Sequence, residues 1–548
     1  PRFDSPGTRW HLSMEHFYLT PPQAAEEKAA PCGNSAGALI PAAGPQPDTA
    51  VRPENAAEKT DQAPEHADPA YAWIFEHTRG RKCLVFSNSR EECEAVTSTL
   101  RSYCEARHEP DRFLIHHGNL SASLRESAED DMRDDSLDLT TCTTATLELG
   151  IDIGKLERAF QINAPFTVSS FLQRMGRTGR RGGAEEMWFV IREEHAEPRS
   201  LLPETVPWYL LQGIALIQLY LEEKWVEPPR EGRLPFSLLY HQTMSTLMSC
   251  GEVTAAELAT RVLGLSAFSH ISREDFSILL QHLLEIDHIQ RTEDGGLIVG
   301  LSGEQVTNNF RFYAVFQENE EYSVRFDAQE LGTIVKPPPA GDKVAIAGRV
   351  WVVEDVDLKR RQVYVSPVKG KVPAYFGDVA GDVHTRILEK IREILQGSRT
   401  YPYLLPNAAA RLDSARAAAA RSGLGSRPLL PLGGKMYVLF PWLGSYAFLA
   451  LERFLRIRCA ARLGLRGFTS ARPYYMQFTM AVGEEEFYTV LAEELEQPLD
   501  PLELLYPKEV PYFEKYDEYV PEELIRKGFA RGVLDVEGMK ERVRQFRP

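Results

Sequence analysis

Between residues 82 and 142 three short apolar runs alternate with polar, helix-forming stretches, and few folds accommodate that alternation. Residues 82–89 (KCLVFSNS) form an apolar run that enters a small polar loop, and 90–107 have helical character. A second run at 113–115 leads into HHGNLSASLRE, where Ser121 can cap a helix starting near Ala122. The third run, 137–142, ends in a loop rich in hydroxyls: Thr143, Thr144 and Thr146. Continuous apolar runs are typical of strands buried on both faces of a parallel sheet, with helices as crossovers. The expected class is therefore multidomain α/β, and ligands of such a sheet sit at the carboxyl ends of its strands.

Further along, residues 147–182 carry Asp152 and then four arginines around Gly176 and Gly179. Planar, permanently charged guanidinium groups complement the oxygens of a transferring phosphoryl group better than lysine does. The glycines let the backbone turn tightly beside them. Arg177 and Arg180 are thus candidate arginine fingers, the alternative being a solvated basic loop.

These segments, in this order, resemble the second RecA-like domain of superfamily 2 helicases. LVFSNSR is similar to helicase motif IV, TATLELGIDIG to motif V and QRMGRTGR to motif VI, with HHGNLS between them in the style of the Lhr-like (large helicase-related) branch. The resemblance implies an ATP-dependent helicase in which Asp152, with Gly150, contacts the nucleotide ribose. It also implies that Arg177 and Arg180 reach the terminal phosphates, with Gln173 and Arg174 beside the nucleotide. Gln173 stands where many relatives carry histidine. Ser87, Asn88, His117, Gly118, Thr144 and Thr146 would lie along a nucleic-acid backbone. Serines and threonines at strand ends also satisfy turns and caps, the bland reading of the same residues.

A helicase of this class also needs a GxxxxGK[ST] loop to cradle phosphates and an acidic box to hold Mg²⁺. Neither string occurs before or within the motifs above. Residues 1–20 resemble the connector between two RecA-like domains. The expectation is a C-terminal portion of a longer protein, inactive on ATP alone, with ATP and Mg²⁺ held mostly by a first RecA-like domain in cis.

A chain of 548 residues suggests roughly three to four domains. Residues 21–69, rich in Ala, Pro and Glu, bury too little to offset chain entropy and read as a flexible insertion. The RecA-like domain is expected over 70–195. A helical linker and winged helix follow over 196–305, with an apolar face at Leu210, Ile214, Ile217 and Leu221, caps at Thr254 and Ser272, and a tight turn at Asp294-Gly295. Residues 306–378 alternate as antiparallel strands and resemble a small β-barrel, in which Trp351 reads as core, and Tyr364 or Tyr375 as stacking platforms. Residues 379–548 resemble the DEAD/H-associated domain, an α+β scaffold with no catalytic constellation.

Seven cysteines lack CxxC or zinc-like spacing, so reduced thiols and a cytoplasmic location are expected. The most apolar stretch, 436–451, is interrupted by Pro441, Gly444 and Ser445 and is no membrane span. The net charge of −16 weighs against nucleic acid, yet basic clusters at 174–181, 359–361 and 369–371 could line a track. The partner expected from the resemblance is single-stranded or partly duplex DNA, with RNA or a hybrid open, and the role one in DNA repair or processing. The alternatives are a non-catalytic nucleic-acid-binding or interaction module, and the helicase subunit of a defence system.

Overall fold

The computed structural model describes residues 10–19, 68–148, 156–179, 184–197, 199–316, 322–327, 329–334, 343–357, 360–368 and 381–547. Its first layer is a sheet of strands β1 (Trp10–Tyr18), β2 (Cys83–Phe86), β3 (Phe113–His116), β4 (Thr140–Thr143), β5 (Arg158–Ile162) and β6 (Glu185–Glu193). Their spatial order is β1-β6-β5-β2-β4-β3 and every pairing is parallel. The helices α1 (Pro69–His77), α2 (Arg90–Arg107), α3 (Ala122–Arg133) and α4 (Val168–Met175) cross between strands. β2, β4 and β5 are buried along their whole lengths, as continuous apolar or hydroxyl runs require in a covered sheet.

Residues 10–18, expected within a connector, are an edge strand of this sheet. Met14 at its centre is fully buried, and its free edge is occupied by residues 403–405. Met14 N donates to Tyr403 O at 2.8 Å and Leu405 N to Met14 O at 2.9 Å. An otherwise open row of backbone donors and acceptors is thereby satisfied. Of the insertion expected at 21–69, only the end is described: Asp68 caps α1 by accepting from Ala70 N and Tyr71 N.

α5 (Trp208–Glu223) departs from the expected one-sided pattern. Leu210, Ile214 and Ile217 are buried as expected, but Leu221 is 42% exposed and residues 210–219 are buried on every side. A helix apolar all round belongs inside. Here it lies between the parallel sheet and α10 (Thr385–Gln396), sharing one core with Ile387, Leu388 and Ile391. The boundary expected at 379 is therefore not a packing boundary, because α10 and α11 (Pro406–Ser422) complete the core of the first layer.

Three helices, α6 (Phe236–Cys250), α7 (Ala255–Leu263) and α8 (Arg273–Glu285), precede a two-stranded hairpin, β7 (Ile289–Arg291) and β8 (Leu297–Val299), and α9 (Leu301–Thr307). They enclose a separate core that includes Leu239, Leu258, Leu279 and Ile289. Thr254 makes half of a capping box, accepting from Glu257 N, whereas Ser272 and Asp275 make the full reciprocal pair. Asp275 also accepts from Lys527 Nζ at 2.6 and 2.8 Å, which ties α8 to α15 (Glu522–Gly528). Burial pushes the Asp275 carboxyl up, but the bonds from Lys527 and Ser272 outweigh it and hold the group below its usual value. A depressed carboxyl contributes stability above its unfolded pKa and loses it as pH falls through the folded one. Asp275→Asn is expected to cost about 2 kcal/mol in urea unfolding at pH 7, a difference that shrinks below about pH 4.

Strands β9 (Tyr322–Phe326), β10 (Gln329–Ile334), β11 (Lys343–Ile346), β12 (Arg349–Asp357) and β13 (Gln362–Pro367) form a sheet in the order β10-β9-β13-β12-β11. Among the described residues β10 and β11 do not pair, and β13 runs parallel to β9 rather than antiparallel. The stretch at 344–357 is two strands, folded back at Ala347-Gly348, both at positive φ as a tight hairpin requires. Trp351 is core as expected, its Nε1 donating to Ile346 O at 2.9 Å. Tyr364 donates to Gln362 Oε1, while Tyr375 lies outside the described residues.

The Ala347-Gly348 turn is fastened to α2. Glu94 accepts from Ala347 N at 2.8 Å and Gly348 N at 2.6 Å, and Arg101 Nη1 donates to Ala347 O at 2.8 Å.

The last unit contains an antiparallel sheet, β14 (Leu429–Gly433), β15 (Met436–Leu439), β16 (Arg466–Ala471) and β17 (Tyr475–Thr479), ordered β14-β15-β17-β16. Around it stand α12 (Ser445–Phe454), α13 (Ala460–Leu463), α14 (Glu484–Glu496) and α16 (Val536–Arg544). Among the described residues no helix is long and apolar enough to cross a membrane.

Candidate nucleotide and nucleic-acid site

The residues that carry the chemistry meet where β2, β4 and β5 end. Asn88 follows β2 directly, Glu148 follows β4 through one helical turn, and α4 follows β5. α4 starts at Thr167, whose hydroxyl accepts from Ser170 N at 3.0 Å. Glu227 strengthens that end, accepting from Val168 N at 2.7 Å and Ser169 N at 3.1 Å, where a carboxylate meets the helix dipole. After α4 the chain must pass β6 closely. At Gly179, with φ +72°, a Cβ would lie 2.7 Å from the Glu185 backbone nitrogen, so only glycine fits.

Arg174 points inward from the last turn of α4 and is only 5% exposed. Its Nε and Nη2 each donate to Glu148 Oε1 at 2.7 Å, and Ser170 Oγ donates to the same oxygen at 2.7 Å. Its Nη1 donates to Gln161 Oε1 and, at 3.3 Å, to Asn88 Oδ1. Burial pulls the guanidinium below its usual pKa and the Glu148 carboxylate opposes that pull. Arg177, 9% exposed, donates from Nε to the Glu148 carbonyl at 2.9 Å and from Nη2 to the same oxygen. Two arginines one turn apart are thus anchored on one residue, Arg174 by its carboxylate and Arg177 by its carbonyl.

Of the residues expected on the nucleotide, Arg174, Arg177 and Gln173 are brought together, with Gln173 half-buried beside Ser169. Gly150, Asp152 and Arg180 lie outside the described residues. Of those expected along nucleic acid, Asn88 joins the cluster, donating from Nδ2 to Ala164 O at 2.8 Å, and Gly118 is exposed. Thr144 is half-buried, and Thr146 Oγ1 lies 3.0 Å from His116 Nδ1. Ser87 is fully buried, and His117 is 2% exposed with Nε2 2.8 Å from Glu94 Oε1. Neither of these two side chains is presented to solvent.

The sequence motifs do not single out Glu148, Gln161 or Glu92. Glu148 is an acidic residue inside an apolar LEL step, a visible oddity whose partner lies 26 residues away. Glu92 carries a readable signal, because Ser89 Oγ accepts from Glu92 N at 3.0 Å as an N-cap three residues before it does. Burial pushes the Glu92 carboxyl up, with Arg192 and the Asn88 N–H pulling the other way. Among the described residues no group of three or more His, Cys, Asp or Glu side chains suits a metal ion. Glu148 is already committed to Arg174, so these residues offer no ligand set for Mg²⁺.

The parallel sheet thus carries motif-bearing loops at its carboxyl ends, with Arg174 in the last turn of the helix that follows β5 and Arg177 just beyond it. The model of the helicase conserved C-terminal domain matches residues 66–182. Residues 66–182 are thus a helicase conserved C-terminal domain, and the chain is similar to Lhr-like superfamily 2 helicases. It is 24% identical over 338 residues to the ATP-dependent helicase Lhr-Core of Saccharolobus solfataricus, covering 58% of this chain and 36% of that protein. It is 23% identical over 370 residues to the Lhr helicase/uracil glycosylase of Escherichia coli, covering 56% of this chain and 23% of that one. The chain therefore spans about a third or less of the length of these relatives. Among solved structures it is similar in fold to the Mycobacterium smegmatis helicase Lhr bound to ssDNA and AMP-PNP. The TM-score is 0.58 at 18% identity, over 87% of this chain and 64% of that one.

Proposed function

We propose that this chain forms the translocating C-terminal part of an ATP-dependent DNA helicase and turns over ATP only together with a first RecA-like domain. The observation that supports this best is the convergence of Asn88, Glu148, Arg174 and Arg177 at one end of the parallel sheet. In this reading Arg177 and Arg180 face the terminal phosphates and Asp152, with Gly150, takes the ribose. Arg174 acts as the buried tie that holds α4 in register, with Gln173 at the nucleotide's edge. Mg²⁺ is held by the other domain. Bound ATP supplies the energy; the residues here orient its phosphates and complement the charge that develops on them.

Single-stranded DNA, to which the similar Mycobacterium smegmatis helicase Lhr is bound in its solved structure, passes across the loops of Asn88, Gly118 and Thr144. The backbone N–H groups and hydroxyls there contact phosphates without regard to sequence. Ser87, His117 and Thr146 shape those loops from below. The three helices and hairpin at 236–299 act as a winged helix and the five-stranded sheet as a small barrel, together guiding the strand. A role in DNA repair or processing, in the cytoplasm, belongs to the same reading.

The test is single-stranded DNA binding and DNA-stimulated ATP hydrolysis, run on this chain and on the same chain joined to a first RecA-like domain. Binding by both with turnover by the joined protein alone is the expected result. Strand binding without turnover by either would favour a non-catalytic binding module, and turnover by this chain alone would overturn the division of labour.

A further inference from the structure

Beside the arginine cluster, but not part of it, a cavity of about 380 Å³ opens at the carboxyl ends of β2, β5 and β6. We infer that this cavity takes one unpaired nucleobase turned out of the bound strand, a proposal that rests on the nucleic-acid reading above. One wall is aromatic. Trp208 and Tyr474 lie stacked at 4.7 Å and 22°, and Tyr209 stands next to them 40% exposed, its ring available to a further π-face. Stacking of this kind accepts any base.

The floor is polar and rigid. Asn163, held at φ +58°, accepts from Arg192 N at 3.0 Å and reaches Glu92 Oε1 at 3.5 Å. Arg192 also lines the cavity, its side chain 7% exposed and held by Asp68, to which Nη2 donates at 2.8 Å. Glu194 and Glu204 stand at the rim, both exposed, so a phosphate is repelled where a neutral base is not. Asn88, on the proposed strand track, is part of the same lining, which places a base within reach of the cavity when its phosphate is on the loop.

The experiment is a scan of single-stranded DNA oligonucleotides, each with one abasic site, bound to the full chain and to its Tyr209→Ala and Asn163→Gly variants. Tyr209 is exposed, so thermal melting near that of the wild type is expected for Tyr209→Ala; Asn163→Gly keeps the backbone of position 163 but leaves Arg192 N without its acceptor, so its melting is measured beside its binding. One abasic position should weaken binding roughly tenfold, the scale of one lost base–aromatic stack. Tyr209→Ala should weaken the intact strand to a similar degree and respond little to that same abasic site. If the strand binds but no position stands out, the cavity does not take a base, while the nucleic-acid reading survives. If no strand binds, both readings fall. A flat scan with quenching of tryptophan fluorescence by adenosine, lost in Tyr209→Ala, would give the cavity to a free nucleoside and overturn the proposal.

Discussion

Replacing Arg177 by alanine in the protein that carries both RecA-like domains should lower ATP turnover by about a thousandfold, the lower end of what an arginine finger contributes. Affinity for nucleotide should change far less, because the finger acts on charge that develops only in the transition state. The substitution also leaves the Glu148 carbonyl short of a donor, at a cost of about 1–3 kcal/mol. Urea unfolding must therefore accompany the kinetics. Arg177→Lys separates charge from geometry: it keeps the cation but not the planar fork, and turnover should stay far below that of the wild type. Wild-type turnover in Arg177→Ala would remove Arg177 from the reaction.

The second large effect is structural. Glu148→Ala strips the counter-charge from Arg174, a guanidinium only 5% exposed, and should cost about 3–5 kcal/mol in urea unfolding of this chain. The penalty comes from leaving a cation buried without a partner, more than from the attraction lost. Combining Glu148→Ala with Arg174→Met removes both charges and should recover a good part of the loss. A double variant whose loss is at least the sum of the single losses would show that the two residues stabilise the fold independently.

Local features of this fold are legible where propensity, caps and burial agree. α2 runs over the residues that its composition indicates, because Ser89 starts it and the apolar positions Val96, Leu100 and Tyr103 all face one core. β1 reads as part of a connector because its partner β6 lies far along the chain, and no local pattern announces a pairing between Met14 and Phe189. The turn at Ala347-Gly348 escapes the sequence for a different reason. Alanine at φ +54° is not a residue that signals a reversal. α5 reads as amphipathic, but the helix that covers its outer side, α10, begins more than 150 residues later. At the site itself the arginines are visible as a motif. Their anchor is not, because Glu148 acquires its meaning only when β4 and α4 are brought side by side.

The two backbone N–H groups of Ala347 and Gly348 that Glu94 accepts give α2 a mechanical character. Glu92, whose carboxylate accepts from Asn88 N, and Glu94 are two residues apart in the same helix, about 3 Å along its axis. No loop, glycine or solvent layer intervenes between the grip on the Asn88 loop and the grip on the turn. The first turns of α2 are in effect a tappet: in the proposed function, a shift of the Asn88 loop as a strand advances would be passed through α2 to the turn of the five-stranded sheet without a separate linkage.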